Sequence, residues 1–236
     1  MKYAIMCGGI YTNFVDSPKQ FIKINGEPLI LRTIRLLQEN GISKEDIVIT
    51  SNNSAFEQCG VTVLKNSMNN FKQDAPWTNM KGWWLNALHP FTDPVCYLFG
   101  DVYYSEKAIK TIINTEVSTE TLFGANPYWN KNGINMKPYP EPLAFKVLNN
   151  IKVKLAIKSV KQLAKQGMLK RHPIIWELYR YLNGYNLNKE IIGKNFICIN
   201  DISTDLDTPE DATKIENYLK QYGPDLKLVK TINGVI

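Results

Sequence analysis

Tyr3-Ala4-Ile5-Met6-Cys7-Gly8-Gly9-Ile10-Tyr11-Thr12-Asn13, closing on Ser17-Pro18-Lys19, is the stretch on which the reading of this chain turns. Tyr3 to Cys7 is a short apolar run stopped by glycine, which predicts a buried strand. Gly8 and Gly9 let backbone N–H groups come close to an anion. Lys19, at the far end of the loop, can neutralise phosphate charge. Neither G-x-x-x-x-G-K-[ST] nor G-x-G-x-x-G is present. Two glycines after a strand also fit a plain strand-to-loop turn, and both readings stand at this point.

Working outward, strands and helices alternate. Pro28 to Asn40 predicts a helix with Ile30, Ile34 and Leu37 on one face. Strands are expected at Asp46–Thr50, Val61–Leu64, Glu120–Gly124, Leu143–Val147 and Phe196–Ile199. Pro94 to Phe99 is the most apolar strand and is placed centrally. Further helices are expected at about Met80–Leu88, Ser105–Thr115, Asn150–Gln166 and Pro173–Asn183. A last one opens at Thr208-Pro209, with Asp211 able to return the cap. The pattern predicts an α/β fold: a mostly parallel mixed sheet with helices on both faces. Residues 1–236 read as a single domain. In such sheets ligands bind beyond the carboxyl ends of strands. That rule selects Gly8-Gly9, Asp101 and the segment after Ile199.

Asp101 follows the apolar strand and suits a magnesium ligand, because Mg²⁺ takes hard oxygens from one or two carboxylates plus phosphates. A turn or helix-cap aspartate is the plainer alternative, although Ser105 is the better cap. Asp205 and Asp207 alternate on an extended segment, so both carboxylates can face one cation. One of them capping the last helix is the alternative.

Composition narrows the partners. The net charge is +6 and apolar residues make up 44% of the chain. No run approaches the roughly 18 apolar residues that span a bilayer. Met1 to Met6 is too short for a signal peptide, so a cytoplasmic protein is expected. The four cysteines are widely separated and read as small hydrophobes. Lys154, Lys158, Lys161 and Lys165 form one helical stripe, read as a solvated face. No aromatic residues interleave with it, which argues against nucleic acid. The chain has two histidines, His89 and His172, both followed by proline, and neither reads as a general base. Trp77, Trp83 and Trp84 read as core.

These segments together resemble a known family. Met6 to Leu37, above all Ser17-Pro18-Lys19-Gln20-Phe21-Ile22-Lys23-Ile24-Asn25-Gly26-Glu27-Pro28-Leu29-Ile30, is similar to the opening of the nucleotidyltransferases with the Rossmann-like GT-A fold. Within them it is most like 2-C-methyl-D-erythritol 4-phosphate cytidylyltransferase and related sugar- or polyol-phosphate enzymes. Gly100-Asp101 resembles that group's metal-binding aspartate. Asp205-Leu206-Asp207-Thr208-Pro209-Glu210-Asp211 looks like the C-terminal signature of CMP-sugar synthetases. The resemblance covers roughly residues 1–110 and 195–220. It departs from the family at Ile10-Tyr11-Thr12-Asn13, where the family's second glycine and arginine are missing.

The resemblance implies transfer of a nucleoside monophosphate, CMP before UMP, from a triphosphate to a phosphorylated sugar, polyol or small metabolite, with release of pyrophosphate. Lys19 and Asp101 would carry the catalysis, and Mg²⁺ would sit on Asp101, Asp205 and Asp207. The nucleotide would be held by Cys7, Gly8, Gly9, Thr12, Asn13 and Lys19, and its base read by Ser51, Asn52, Lys81, Gly82 and Asn86. The acceptor pocket would come from the unmatched insertion at about 126–195, through Trp129, Lys137, Glu141, Arg171 and Glu177, with Lys170 and His172 nearby. A homo-oligomer is compatible with the sequence. A GT-A glycosyltransferase, or a non-catalytic nucleotide- or RNA-binding domain, are the alternatives.

Overall fold

A seven-stranded sheet in the order β10-β8-β9-β6-β1-β4-β5 organises the chain. The strands are β1 (Lys2–Met6), β4 (Ile47–Thr50), β5 (Thr62–Leu64), β6 (Val95–Phe99), β8 (Thr121–Ala125), β9 (Pro142–Val147) and β10 (Phe196–Ile199). The computed structural model describes residues 1–9, 17–65, 83–125 and 140–223. Within this sheet only β9 runs against its neighbours, pairing antiparallel with β6 and β8. The other pairs are parallel. The fold is therefore α/β with a mostly parallel mixed sheet. β6 lies at the centre, as its apolar composition predicts, and Val95 to Leu98 are all buried.

Two small antiparallel pairs escape the periodicity because they are two residues per strand. β2 (Lys23–Ile24) and β3 (Glu27–Pro28) form a hairpin. Its turn is Asn25 (φ 51) and Gly26 (φ 82), the positive-φ pair of a type I′ turn. β7 (Val102–Tyr103) pairs with β11 (Thr204–Asp205).

Helices α1 (Leu29–Glu39) and α2 (Glu106–Asn114) supply one apolar layer. Ile30, Ile34 and Leu37 pack there with Ile5, Ile49 and Leu98. Ser105 caps α2, its hydroxyl accepting from Ala108 N at 2.9 Å. Helices α3 (Asn150–Lys165) and α4 (Ile175–Leu182) cover the other face with Trp83, Tyr97 and Phe145. Helix α5 (Pro209–Tyr222) packs Ala212 and Ile215 on Leu29 and Leu206. The Asp211 carboxylate accepts from Thr208 N at 2.9 Å and closes its cap as expected. No helix among the described residues is long and apolar enough to cross a membrane.

Two expectations are corrected. The described part of the Met80–Leu88 segment is a 3-10 turn over Trp84–Ala87, with Asn86 buried rather than on an α-helical face. The lysine stripe on α3 is not uniformly solvated: Lys154, Lys158 and Lys165 are exposed, whereas Lys161 is half-buried.

Candidate active site

β1 and β6 run side by side, with Met6 opposite Phe99, so both chains leave the sheet at one edge. Gly100 N donates to Met6 O at 3.0 Å, and Cys7 N donates to Thr50 O at 3.0 Å. These bonds sew the start of the two loops together. A Cβ on Gly100 would lie 2.5 Å from Met6 O and 2.6 Å from Cys7 Sγ, so no side chain fits there. Gly9, with φ +99, continues the first loop. Burial, and secondarily the Asp101 carboxylate, pushes the Cys7 thiol well above its ordinary pKa. Cys7 is thus a packed, unreactive thiol whose N–H is already committed to the sheet.

Lys19 enters this edge on a 3-10 turn over Lys19–Phe21. Gln20 is fully buried, and Phe21 stacks on Phe56 at 5.1 Å, which anchors the turn. The Lys19 ammonium then reaches Asp101 Oδ2 at 2.6 Å and donates to Leu206 O at 3.1 Å. Leu206 N donates to Asp101 O at 2.8 Å. Three segments remote in sequence therefore converge on one ion pair. Lys19 is 6% exposed and Asp101 27%, so the pair is withdrawn on the lysine side and open on the carboxylate side.

β11 brings Asp205 opposite Val102, one residue from Asp101. Leu206 is buried and Asp207 exposed. Asp207 N donates to Asp211 Oδ2 at 3.1 Å, so this residue already belongs to the α5 cap. The extended segment that motivates pairing Asp205 with Asp207 ends before Asp207. Asp201 is missing from the sequence reading. It is 4% exposed, accepts from Ser105 Oγ at 2.6 Å and from Ser203 N at 2.7 Å, and so props β11 against the start of α2. The short distance from Ile199 was its available signal.

Asp101 and Asp205 offer hard carboxylate oxygens, and among the described residues no three His, Cys, Asp or Glu side chains gather into a cage. That donor set fits magnesium, which commonly takes one or two carboxylates and completes its shell with phosphates and water.

Among the base-reading candidates, Ser51 is buried, and its hydroxyl accepts from Asn53 N at 3.2 Å. Asn52 follows it, half-buried. Asn86 Oδ1 accepts from the Lys161 ammonium. Trp84, two residues earlier, packs edge-on against Phe99 with ring centroids 5.4 Å apart. Trp83 is buried, as expected, and stacks on His172 at 5.9 Å.

The insertion is more structural than its sequence suggests. Glu177 is 2% exposed; it holds Arg171 at 2.8 Å, accepts from Ile174 N at 2.9 Å and lies 3.4 Å from Arg180. It caps α4 and neutralises two arginines. Glu141 O accepts from Ala125 N at 2.8 Å at the end of the β8–β9 pair. Thr12, Asn13, Trp77, Lys81, Gly82, Trp129 and Lys137 lie outside the described residues.

No protein-family model and no curated protein matches the sequence. Solved structures do match by shape. An inositol-1-phosphate CTP transferase from T. maritima superposes with a TM-score of 0.54 at 15% identity, over 91% of this chain and 96% of that one. A protein described as a glucose-1-phosphate thymidylyltransferase, from Bacillus anthracis, gives 0.56 at 14%, over 97% of each chain. A UDP-glucose pyrophosphorylase from Acinetobacter baumanii gives 0.51 at 12%, over 93% of each. This chain has the α/β fold of the sugar-phosphate nucleotidyltransferases.

Proposed function

We propose that the protein transfers a nucleoside monophosphate from a nucleoside triphosphate to a phosphorylated small molecule, releasing pyrophosphate. The observation that carries this is the Lys19–Asp101 pair, built at 2.6 Å on the carboxyl edge of the sheet. An oxygen of the acceptor phosphate attacks the α-phosphorus. The new P–O bond forms as the bond to the bridging α,β-oxygen breaks, and pyrophosphate leaves with that electron pair. A phosphate monoester needs no protein base to become nucleophilic, so the protein's task is positioning and charge stabilisation. Lys19 approaches the α-phosphate oxygens, and Gly8 and Gly9 place backbone beside the triphosphate. Asp101 and Asp205 would hold magnesium, which would neutralise phosphate charge there. Asp207 would be the alternative to Asp205 in that role.

A pyrimidine triphosphate, CTP before UTP, fits the resemblance of the opening segment. The three structural neighbours carry names that speak of cytidine, thymidine and uridine nucleotides. Ser51, Asn52 and Asn86 read the base, and the 126–195 segment receives the acceptor, with Arg171 as its described surface cation.

A pyrophosphate-release screen of four nucleoside triphosphates against sugar 1-phosphates, polyol phosphates and small phosphorylated metabolites tests the reading. Turnover with CTP or UTP that is lost in Lys19→Ala supports it. Full turnover in Lys19→Ala overturns the role of Lys19. Release of a nucleoside diphosphate from a nucleotide-sugar would instead establish the glycosyltransferase alternative.

A further inference from the structure

Helix α3 crosses the face of the sheet from its amino edge to its carboxyl edge. β9 ends with Val147 opposite Val95, the first residue of β6, so the chain enters α3 at the amino edge. Asn150 Nδ2 donates to Asp93 O at 2.5 Å, and Lys152 pairs with Glu120 there. Lys161 lies eleven residues beyond Asn150, about 17 Å along the helix at 1.5 Å per residue. The five residues of β6 span roughly 16 Å. Lys161 is therefore level with the edge that carries Lys19 and Asp101.

The described lysines withdrawn from water can be compared by what receives their charge. Lys19 has a carboxylate and a carbonyl. Lys146 has two carbonyls at the end of α2, Ile113 O at 3.1 Å and Thr115 O at 2.8 Å. The ammonium of Lys161 has the neutral amide oxygen of Asn86, and no carboxylate pairs with it among the described residues. Burial lowers the Lys161 pKa, the expected response of an ammonium drawn out of water without an anion. For the ligand proposed above, Lys19 is the other withdrawn cation that the described residues bring to this edge. From Gly8 to Ser17 the sequence holds no lysine or arginine, and it does hold Asp16. The charge of Lys19 is already matched by Asp101. A phosphate monoester alone brings about −1.5 to −2 charges.

We infer that Lys161 is a further phosphate-binding residue, steadied by Asn86 and supplying from α3 the positive charge that the glycine loop lacks. The inference rests on the nucleotidyl-transfer reading for its location, and on the Lys161–Asn86 geometry for its chemistry. The receiving group is a phosphate of the triphosphate or of the acceptor. Both present the same oxygens, and a cation at this edge serves either.

Calorimetric titration with CTP, UTP, pyrophosphate, inorganic phosphate and a sugar 1-phosphate separates these cases. The protein is compared with Lys161→Met, Lys161→Arg and Lys154→Met, the last an exposed lysine near the other edge. Lys161→Met is expected to weaken binding about ten-fold or more, Lys161→Arg less, and Lys154→Met hardly at all. Loss confined to CTP, UTP and pyrophosphate assigns Lys161 to the triphosphate. Loss confined to inorganic phosphate and the sugar phosphate assigns it to the acceptor. An unaltered melting temperature in Lys161→Met excludes misfolding as the cause; if that variant does not fold, Lys161→Gln replaces it. Equal affinity of Lys161→Met for every phosphate that the unaltered protein binds overturns the inference while leaving the proposed reaction intact. Binding of inorganic phosphate through Lys161, with no binding of any triphosphate, supports the inference and overturns the reaction. A protein that binds no phosphate probe overturns both.

Discussion

Lys19 and Lys161 sit at the same edge of the sheet and are both drawn away from water, yet their surroundings differ in kind. At the Lys19 corner the partners come from residues 101 and 206, and the cation is matched by a carboxylate and a backbone oxygen. On the α3–α4 side the two arginines share Glu177, and Lys161 meets a neutral amide. The first corner is electrically closed within the protein, so its energy goes into holding three chain segments in register. The second has a positive charge not neutralised by the described protein groups. Burying a charge is tolerated when it is paired and costly when it is not, so an anion arriving at the second corner offsets a larger cost than one arriving at the first.

The largest expected effect tests the closed part of the α3–α4 side. Glu177→Ala removes the carboxylate shared by Arg171 and Arg180 together with the cap of α4. It should lower stability by about 4 kcal/mol, measured by urea unfolding. A loss near zero would mean that the arginines find water and that burial there does not matter.

Asp101→Ala would make the Lys19 corner resemble the Lys161 corner. A loss of about 3 kcal/mol is expected, again from urea midpoints, because Lys19 stays withdrawn and loses the carboxylate that faces it at 2.6 Å. Lys19→Met combined with Asp101→Ala should recover part of it, and the double-mutant cycle with the two single variants gives the coupling. Independent, additive losses would show that the pair is incidental. Gly100→Ala is expected to cost about 2 kcal/mol through the overlap with Met6 O and Cys7 Sγ, read as a fall in melting temperature.

Smaller effects lie at the periphery. Thr208→Ala should cost about 1 kcal/mol through the α5 cap, without altering the Lys19–Asp101 pair. Acid should bring a modest further loss. Hydrogen bonds from Arg35 hold the Glu27 carboxyl below its ordinary 4.5. For Asp211, burial acts to raise the pKa from its ordinary 3.8, but hydrogen bonds led by that from Lys214 outweigh it. A carboxyl depressed in the folded state stabilises above its unfolded pKa, and that contribution is lost as pH falls through the folded value. Melting temperature should therefore decline below about pH 4.5, and less steeply in Arg35→Met; a flat profile would contradict the assignment.

Much of the architecture is legible in the sequence because burial imposes periodicity. Pro94 to Phe99 announces a central strand by being apolar at every position from Val95 to Phe99. Ile30, Ile34 and Leu37 announce a helix face. Thr208-Pro209 with Asp211 announces a helix start. The hairpin at Lys23–Pro28 is too short for periodicity, although Asn25-Gly26 is a turn signal that the residue pattern around it obscures. The candidate site is legible as the ends of strands: Gly8-Gly9, Asp101 and the segment after Ile199. The job of Glu177 is not, because a glutamate that caps a helix and two arginines has the same sequence signature as one that faces a ligand. The same holds for Lys161, one of four lysines at helical spacing.

By itself, then, the sequence determined which segments form strands and helices and which residues stand at strand ends, since these follow from local periodicity. Only the tertiary structure decided which charges meet. Lys19 and Leu206 are 187 residues apart, and Lys161 and Asn86 are 75 apart. No local preference encodes such distances; they are fixed when the helices close over the two faces of the sheet and exclude water from one lysine of a stripe but not from its neighbours.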